Sequence, residues 1–292
     1  MTSWWAKLRS FVGSDRLNVN VRFELLREAI SGTMSEFYLA RERATDRIVG
    51  LKILNLEKTL AFESRFKGIH KPTEGEIATS LAGPYIVETF EHGLTTTGQQ
   101  YLVMEFLEGP GLNSFLAVRS DQLDGKRIIL LRQMARGLDA VHQAGYIHRD
   151  ICPRNFICAP DATSLKLIDF GLTVPATRNF MLPGNRTGTP NYMAPEIVRR
   201  RRTDHRVDLF ALGVTAYHLC SFQLPWTGGG GTAQAAMLHD TQTPVDIREL
   251  VPGLNDELAA TIAMCLSVDP GSRPASAEEV AQRLERIPDD AA

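Results

Sequence analysis

The sequence lacks a long apolar run. In 292 residues that are 43% apolar, the strongest candidate, Leu209 to Phe222, is uncharged but short and carries His218. It fits a helix buried in a protein core better than a membrane span. The N-terminus lacks the apolar core and cleavage site of a secretory leader, so a cytoplasmic location is expected. Cysteine is scarce: Cys152, Cys158, Cys220 and Cys265 show no paired metal-type spacing and read as reduced thiols. Neither sign of charge dominates, with 32 Lys and Arg against 34 Asp and Glu. That balance argues against nucleic acid as the main partner. There is no internal repeat. What is present is enough apolar sequence for a sizeable core and for two lobes or domains.

The densest chemistry lies in His148-Arg149-Asp150-Ile151-Cys152-Pro153-Arg154-Asn155, followed by Asp169-Phe170-Gly171. Asp150 can accept a proton from an attacking hydroxyl, and Asn155 and Asp169 can hold magnesium against nucleotide phosphates. Phosphoryl transfer asks mostly for positioning and charge neutralisation, so a base carboxylate and oxygen ligands for a hard cation are its expected parts. Asp-Phe-Gly alone would be a weak signal, because it also suits a turn after a strand. The two motifs in this order are a strong one.

Along the chain, Trp4, Trp5, Leu8, Phe11 and Val12 recur at helical spacing until Gly13-Ser14-Asp15 breaks the pattern. The favoured reading is a short helix on the protein's own surface; the alternative is a helix for a partner or a membrane surface. From residue 22 to about 107, Phe37–Ala40, Ile48–Leu54, Tyr85–Val87 and Tyr101–Met104 read as strands, and Glu74–Leu81 as a helix. This predicts an antiparallel sheet with one packed helix. Gly109-Pro110-Gly111 then reads as a hinge between lobes. Helices follow at Arg127–Ala144 (apolar face Ile128, Leu131, Met134, Ala135, Leu138, Val141), Val207–Cys220, Asp256–Leu266 and Ser276–Ile287. In the last, Ser276 is the expected N-cap and Glu279 completes a capping box. Gly228 to Gly231 reads as a spacer loop, because no strand leads into it.

From about Phe23 to Ile287 the chain resembles the eukaryotic-like (Hanks-type) protein kinases. The signatures of that family are a Gly-rich loop, a strand lysine, the catalytic loop, Asp-Phe-Gly and Ala-Pro-Glu; all but the first are recognisable here in order. The resemblance implies an α+β, two-lobed fold with an antiparallel β-sheet lobe carrying one packed helix and a mainly helical C-terminal lobe. It implies ATP as co-substrate with Mg2+, or Mn2+ in its place, and a protein substrate with a Ser or Thr acceptor. Lys52, in Val49-Gly50-Leu51-Lys52, matches the lysine that holds the α- and β-phosphates, with Glu74 as its expected partner and Glu76 as the runner-up. Met104 matches the gatekeeper, and Glu105 and Leu107 fall on the adenine-binding hinge. In Gly188-Thr189-Pro190-Asn191-Tyr192-Met193-Ala194-Pro195-Glu196, Thr189 matches the threonine that packs against the catalytic aspartate. Glu196 and Arg273 match a buried structural pair, and Asp208 the aspartate that anchors the catalytic loop. Asp150, Lys52, Arg149 and Asn155 are then the catalytic set, and Asn155 and Asp169 the metal ligands.

The departures are as informative. The three glycine positions of the Gly-rich loop become Ile30, Gly32 and Ser35, so only the middle glycine survives, which should stiffen the loop and weaken ATP binding. Phe37 stands where the family has valine above the adenine, and Gly50 where it has alanine; this reads as a compensated repacking that keeps the slot open. Cys152 replaces the lysine that neutralises the transferring phosphoryl group in most Ser/Thr kinases, a loss worth a few kcal/mol by analogy with one positioned donor. Arg154 is close enough in sequence to substitute. An inert thiol is the favoured reading of Cys152 over a redox role.

The resemblance implies that Arg149 pairs with a phosphate on the activation segment, with Thr187 as the first candidate phosphosite and Thr177 as the second; the alternative is a short segment ordered without phosphate. Arg199 to Arg202, with Arg206, read first as solvated surface and second as a preference for acidic or already phosphorylated substrates. The expected organisation is an N-terminal amphipathic helix and linker over 1–21, a kinase domain over 22–288 (lobes 22–108 and 109–288) and a short tail, 289–292. The rivals are a nucleotide-binding pseudokinase, favoured by the degraded loop and Cys152, and a small-molecule phosphotransferase, disfavoured by the Thr189–Glu196 segment.

Overall fold

The computed structural model describes residues 16–27, 30–31, 34–66, 68–183, 187–226, 233–239 and 241–289. The expected helix at the N-terminus, Gly32 and the glycine loop at 228–231 lie outside the described residues. The chain divides into two compact units. One runs to Ser80 and adds Glu88–Phe106; the other comprises Leu81–Val87 and the chain from Leu107 on.

The first unit opens on a single helical turn, α1 (Val19–Arg22), capped by Asn18. Its sheet contains β1 (Phe23–Leu25), β2 (Ile30–Ser31), β3 (Ser35–Glu42), β4 (Arg47–Leu54), β5 (Thr89–Leu94) and β6 (Gln100–Met104). The order is β1-β3-β4-β6-β5, antiparallel throughout, with β2 also paired to β3. Leu17, Phe23, Ala40, Val49, Leu51, Tyr101 and Val103 form a buried cluster on it, the side chains that a period-two strand pattern sends to one face. Two helices join the sheet: α2 (Leu56–Glu63), capped by Asn55, and α3 (Glu74–Ser80). The sequence reading anticipated only α3.

In the second unit, α4 (Leu112–Ala117) precedes α5 (Arg127–Gln143), whose predicted apolar face is fully buried. Short strands follow: β7 (Tyr146–Ile147), β8 (Phe156–Cys158), β9 (Leu165–Leu167) and β10 (Val174–Pro175), paired β7 with β10 and β8 with β9. Then come α6 (Pro195–Val198), α7 (Arg206–Ser221), α8 (Ala233–Leu238), α9 (Ile247–Leu250), α10 (Asp256–Cys265) and α11 (Ala277–Glu285). The long apolar run is α7, buried nearly all round, as a helix at the centre of a helical unit must be. No helix among the described residues is long and apolar enough to cross a membrane.

Two expectations need correction. Tyr85–Val87 is not a sheet strand: Ile86 forms only an isolated bridge to Leu167, and Leu167 donates to Tyr85 O while Val87 donates back to Leu167 O. The strand is the next segment, β5, bulged between Thr89 and Glu91; its mixed polar residues hid the alternation. The capping box of α11 is also displaced. Ser276 Oγ accepts from Glu279 N at 3.1 Å, but Glu279 Oε2 accepts from Ala275 N, one residue outside the N-cap, at 2.7 Å.

Candidate active site

The first unit holds Lys52, Glu74 and most of the residues expected around the nucleotide. Lys52 lies inside β4 and is itself buried, so its ammonium needs a partner. Glu74 Oε1 supplies it at 2.5 Å, with both side chains at least nine-tenths buried. Local chemistry explains why Glu74 and not Glu76 takes this role. Thr73 Oγ1 accepts from Glu76 N at 3.2 Å, and Glu76 Oε2 accepts from Thr73 N at 2.7 Å and Thr73 Oγ1 at 2.9 Å. This capping box uses the Glu76 carboxylate to start α3, and the Thr73 backbone N–H and hydroxyl hold that carboxyl below its usual range.

Phe37, Gly50 and Met104 meet on adjacent strands. Gly50 pairs with Leu39 and with Met104, so Phe37 is its diagonal neighbour across β3. A Cβ on Gly50 would stand 2.8 Å from Phe37 Cζ, 2.9 Å from Phe37 Cε2 and 3.1 Å from Met104 Cγ. The ring therefore occupies the volume that an alanine methyl would fill. Glu105 exchanges bonds with Glu88: its N–H donates to Glu88 O at 2.9 Å, and its Oε1 accepts from Glu88 N at 2.7 Å. Leu107 is half-buried and belongs to the second unit. Of the three loop positions, Ile30 lies in β2 and Ser35 opens β3.

The second unit holds Asp150, Asn155 and Asp169. Asp208, buried on α7, accepts from His148 N at 2.8 Å, Arg149 N at 2.7 Å and His142 Nε2 at 2.9 Å. Burial pushes its carboxyl up, but these bonds and the nearby histidines bring it below the usual value. The anchored backbone is bent: Arg149 has φ 68°, a left-handed conformation costly for a non-glycine residue and held by its surroundings. His148 closes the turn by accepting from Asp150 N at 3.2 Å, and burial pushes its imidazole pKa down against three nearby carboxylates.

Asp150 emerges from this turn with both carboxylate oxygens engaged. Oδ1 accepts from Thr189 N at 2.8 Å and Thr189 Oγ1 at 2.6 Å. Oδ2 accepts from Asn155 Nδ2 at 3.0 Å and Arg154 Nη2 at 2.9 Å. Asn155 also donates to Asp150 O at 2.6 Å, and its own carbonyl accepts from Ile168 N at 2.8 Å. That last bond ties the end of β9 to the catalytic segment and places Asp169 beside it. Asp169 has φ 65° and accepts from Gly171 N at 3.1 Å. Gly188 has φ 123°, and a Cβ there would meet Arg149 O at 2.8 Å; only glycine lets Thr189 approach Asp150 this closely.

The structure thus brings Asp150, Asn155 and Thr189 together. The Arg149 guanidinium donates to Phe180 O at 2.6 Å, and Thr187 is buried, while Thr177 is exposed. Glu196 and Arg273 make a two-bonded pair, Nη1 to Oε1 at 2.7 Å and Nη2 to Oε2 at 2.9 Å, with Arg273 also donating to Ser267 O and Arg206 O and lying 4.9 Å over Phe210. Arg199 to Arg202 are exposed, and Arg206 pairs with Asp204. Burial and the Asp150 charge push the Cys152 thiol up to about 12, so it stays protonated and inert. Sequence reasoning missed His142 and gave His148 no role; both support the backbone that carries Asp150, and the adjacency of His148 to Arg149-Asp150 was the only available signal.

Comparison with known proteins gives a consistent picture. The protein kinase domain family matches residues 23–284. The chain is 31% identical over 258 residues to serine/threonine-protein kinase PknJ of Mycobacterium tuberculosis, covering 86% of this chain and 43% of that protein. It is 31% identical over 280 residues to serine/threonine-protein kinase pkn2 of Myxococcus xanthus, covering 92% and 33% respectively. Serine/threonine-protein kinase PknB of Mycobacterium tuberculosis is 28% identical over 278 residues, covering 91% and 43%. The chain therefore spans less than half the length of these relatives.

Proposed function

This chain belongs to the protein kinase family, and we propose that it transfers the γ-phosphoryl group of ATP to Ser or Thr hydroxyls of protein substrates. The observation that carries the reading is the Asp150 carboxylate, fixed by Asn155 and by both the backbone and the hydroxyl of Thr189. A carboxylate so fixed can orient an acceptor hydroxyl and take its proton as the bond to phosphorus forms. Lys52, oriented by Glu74, holds the α- and β-phosphates. Gly32, Phe37, Gly50, Met104, Glu105 and Leu107 receive the nucleotide. Asn155 and Asp169 offer an amide oxygen and a carboxylate, a donor set suited to Mg2+ or Mn2+, and the ion when bound supplies positive charge against the phosphates. Thr189 and Glu196 belong to the segment that docks the substrate peptide; Arg273 braces Glu196, and Asp208 anchors the backbone of the catalytic loop. Arg149 orders the activation segment through Phe180, and phosphate on Thr187 would require that segment to open.

In this reading residues 22–288 are the catalytic domain, working in the cytoplasm. The test is intact mass after incubation with Mg-ATP, with Asp150→Asn in parallel. Phosphate on the parent protein alone is the expected result, with the sites on Ser or Thr. No phosphate on the parent protein or on added protein substrates would favour a nucleotide-binding scaffold instead.

A further inference from the structure

The helix that carries Glu74 rests on the sheet at a glycine. Gly75 is buried in the first turn of α3, although glycine is the least favoured helix residue after proline. Its place there has a steric cause. A Cβ on Gly75 would stand 2.4 Å from His92 Cβ, 2.5 Å from His92 Cγ and 2.7 Å from His92 Nδ1. The backbone of α3 therefore lies directly on the His92 side chain, with no side chain of Gly75 between them. The ordinary reading of such a contact is close packing that serves the fold alone.

The sheet links this contact to the site. Phe37, Lys52, Leu102 and His92 are direct partners in turn across β3, β4, β6 and β5. Cross-strand partners share a face, so Lys52 and His92 stand on the same face of the sheet, two strands and about 10 Å apart. α3 lies on that face: Gly75 meets His92, and its neighbour Glu74 reaches Lys52 at 2.5 Å. Neither side of the seat yields easily. His92 Cβ is fixed by the backbone of β5, and rotation of the ring does not move it. β5 is itself held by β6 and, through Glu91, by Arg22 Nη1 at 2.7 Å, Arg22 Nη2 at 2.8 Å and the Tyr101 hydroxyl. α3 is closed at its start by the capping box of Thr73 and Glu76, so its first turn moves as one piece.

We propose that Gly75 and His92 are positioning residues: their contact sets the distance between Glu74 and Lys52, and through it the rate of phosphoryl transfer. The proposal rests on the kinase reading above. Ordinary contact begins at 3.4 Å, and a methyl on Gly75 would stand at 2.4 Å, so α3 would have to retreat by about 1 Å. Glu74 is the adjacent residue and would retreat with it. Lys52 would then lose the bond that aims its ammonium at the α- and β-phosphates. A misplacement of about 1 Å in the groups that orient reactants can cost about 100-fold in rate. Taking the Cβ away from residue 92 instead should open the same space from the sheet side and let α3 return.

The test is steady-state kinetics on the full chain with Mg-ATP and a protein substrate, run below the Tm recorded for each variant. The expected result for Gly75→Ala is a fall in kcat of about 100-fold. Gly75→Ala/His92→Gly should regain at least about 10-fold over Gly75→Ala, even though glycine within a strand lowers Tm. A contact that served stability alone would show the opposite, with kcat following Tm. In a Glu74→Ala background, Gly75→Ala should change kcat less than about 3-fold, because no carboxylate is left to misplace. Should Gly75→Ala fail to fold, His92→Val, which suits a strand and adds a second γ-carbon at the contact, should lower kcat at least about 3-fold with Tm unchanged. A kcat for Gly75→Ala within about 3-fold of the parent, no gain from His92→Gly, or an equal loss with and without Glu74 would each overturn the proposal while leaving the kinase reading intact. An inactive parent protein would overturn both.

Discussion

The two units depart from the usual kinase residues by different physical means. In the first, the departure is one of shape: Phe37 is larger than the residue it replaces, Gly50 is smaller, and the ring lies where a Gly50 methyl would be. In the second it is one of charge: position 152 loses a cation, and Arg154 places one on the same carboxylate. Packing is short-ranged, so a volume gained must be given up by an atom in direct contact; across β3 and β4 that means a diagonal neighbour. Charge acts over several ångströms and rides on a long side chain, so it can be restored from another position in the loop.

Removing a charge without moving it should break the comparison most sharply. Arg273→Ala would leave Glu196 buried without its two-bonded partner, and a loss of about 3–5 kcal/mol is expected in urea unfolding; replacing both partners with apolar residues should cost less. Gly50→Ala is the equivalent insult to shape. It should destabilise the first unit by about 1–3 kcal/mol and lower nucleotide affinity in a titration. Adding Phe37→Val should recover most of both, and unchanged affinity in the single variant would sink the repacking account. The smallest effect separates two neighbouring carboxylates. Glu76→Ala should cost about 0.5–2 kcal/mol through the lost cap of α3 and leave kcat alone, whereas Glu74→Ala should lower kcat by releasing Lys52. Equal kinetic effects would show that the two acids share one role.

Legibility in the sequence followed the distance along the chain. The catalytic loop was readable because its working parts lie within a few residues of one another, α5 because burial repeats with helical period, and α7 because an unbroken apolar run marks a helix buried all round. The choice of Glu74 over Glu76 was not readable from helical phase, since both lie in the first turn; it depended on Thr73 claiming the second acid. The strand β5 escaped because polar residues and a bulge break its alternation. The helix α2 escaped because its exposed leucines, Leu56 and Leu60, do not mark a buried face, leaving the Asn55 cap as the one local sign.

By itself the sequence determined the family, the order of the motifs and the residue types of the site, because phosphoryl transfer needs a particular base, cation and oxygen ligands at fixed places in a short segment. Only the tertiary structure decided how each departure is compensated. That Phe37 fills the space beside Gly50, that Arg149 is held by Phe180 and that Arg154 lies on Asp150 are contacts between side chains and backbone brought together by the fold. Composition and spacing set which groups are available; close packing and the cost of an unpaired buried charge select which of them meet.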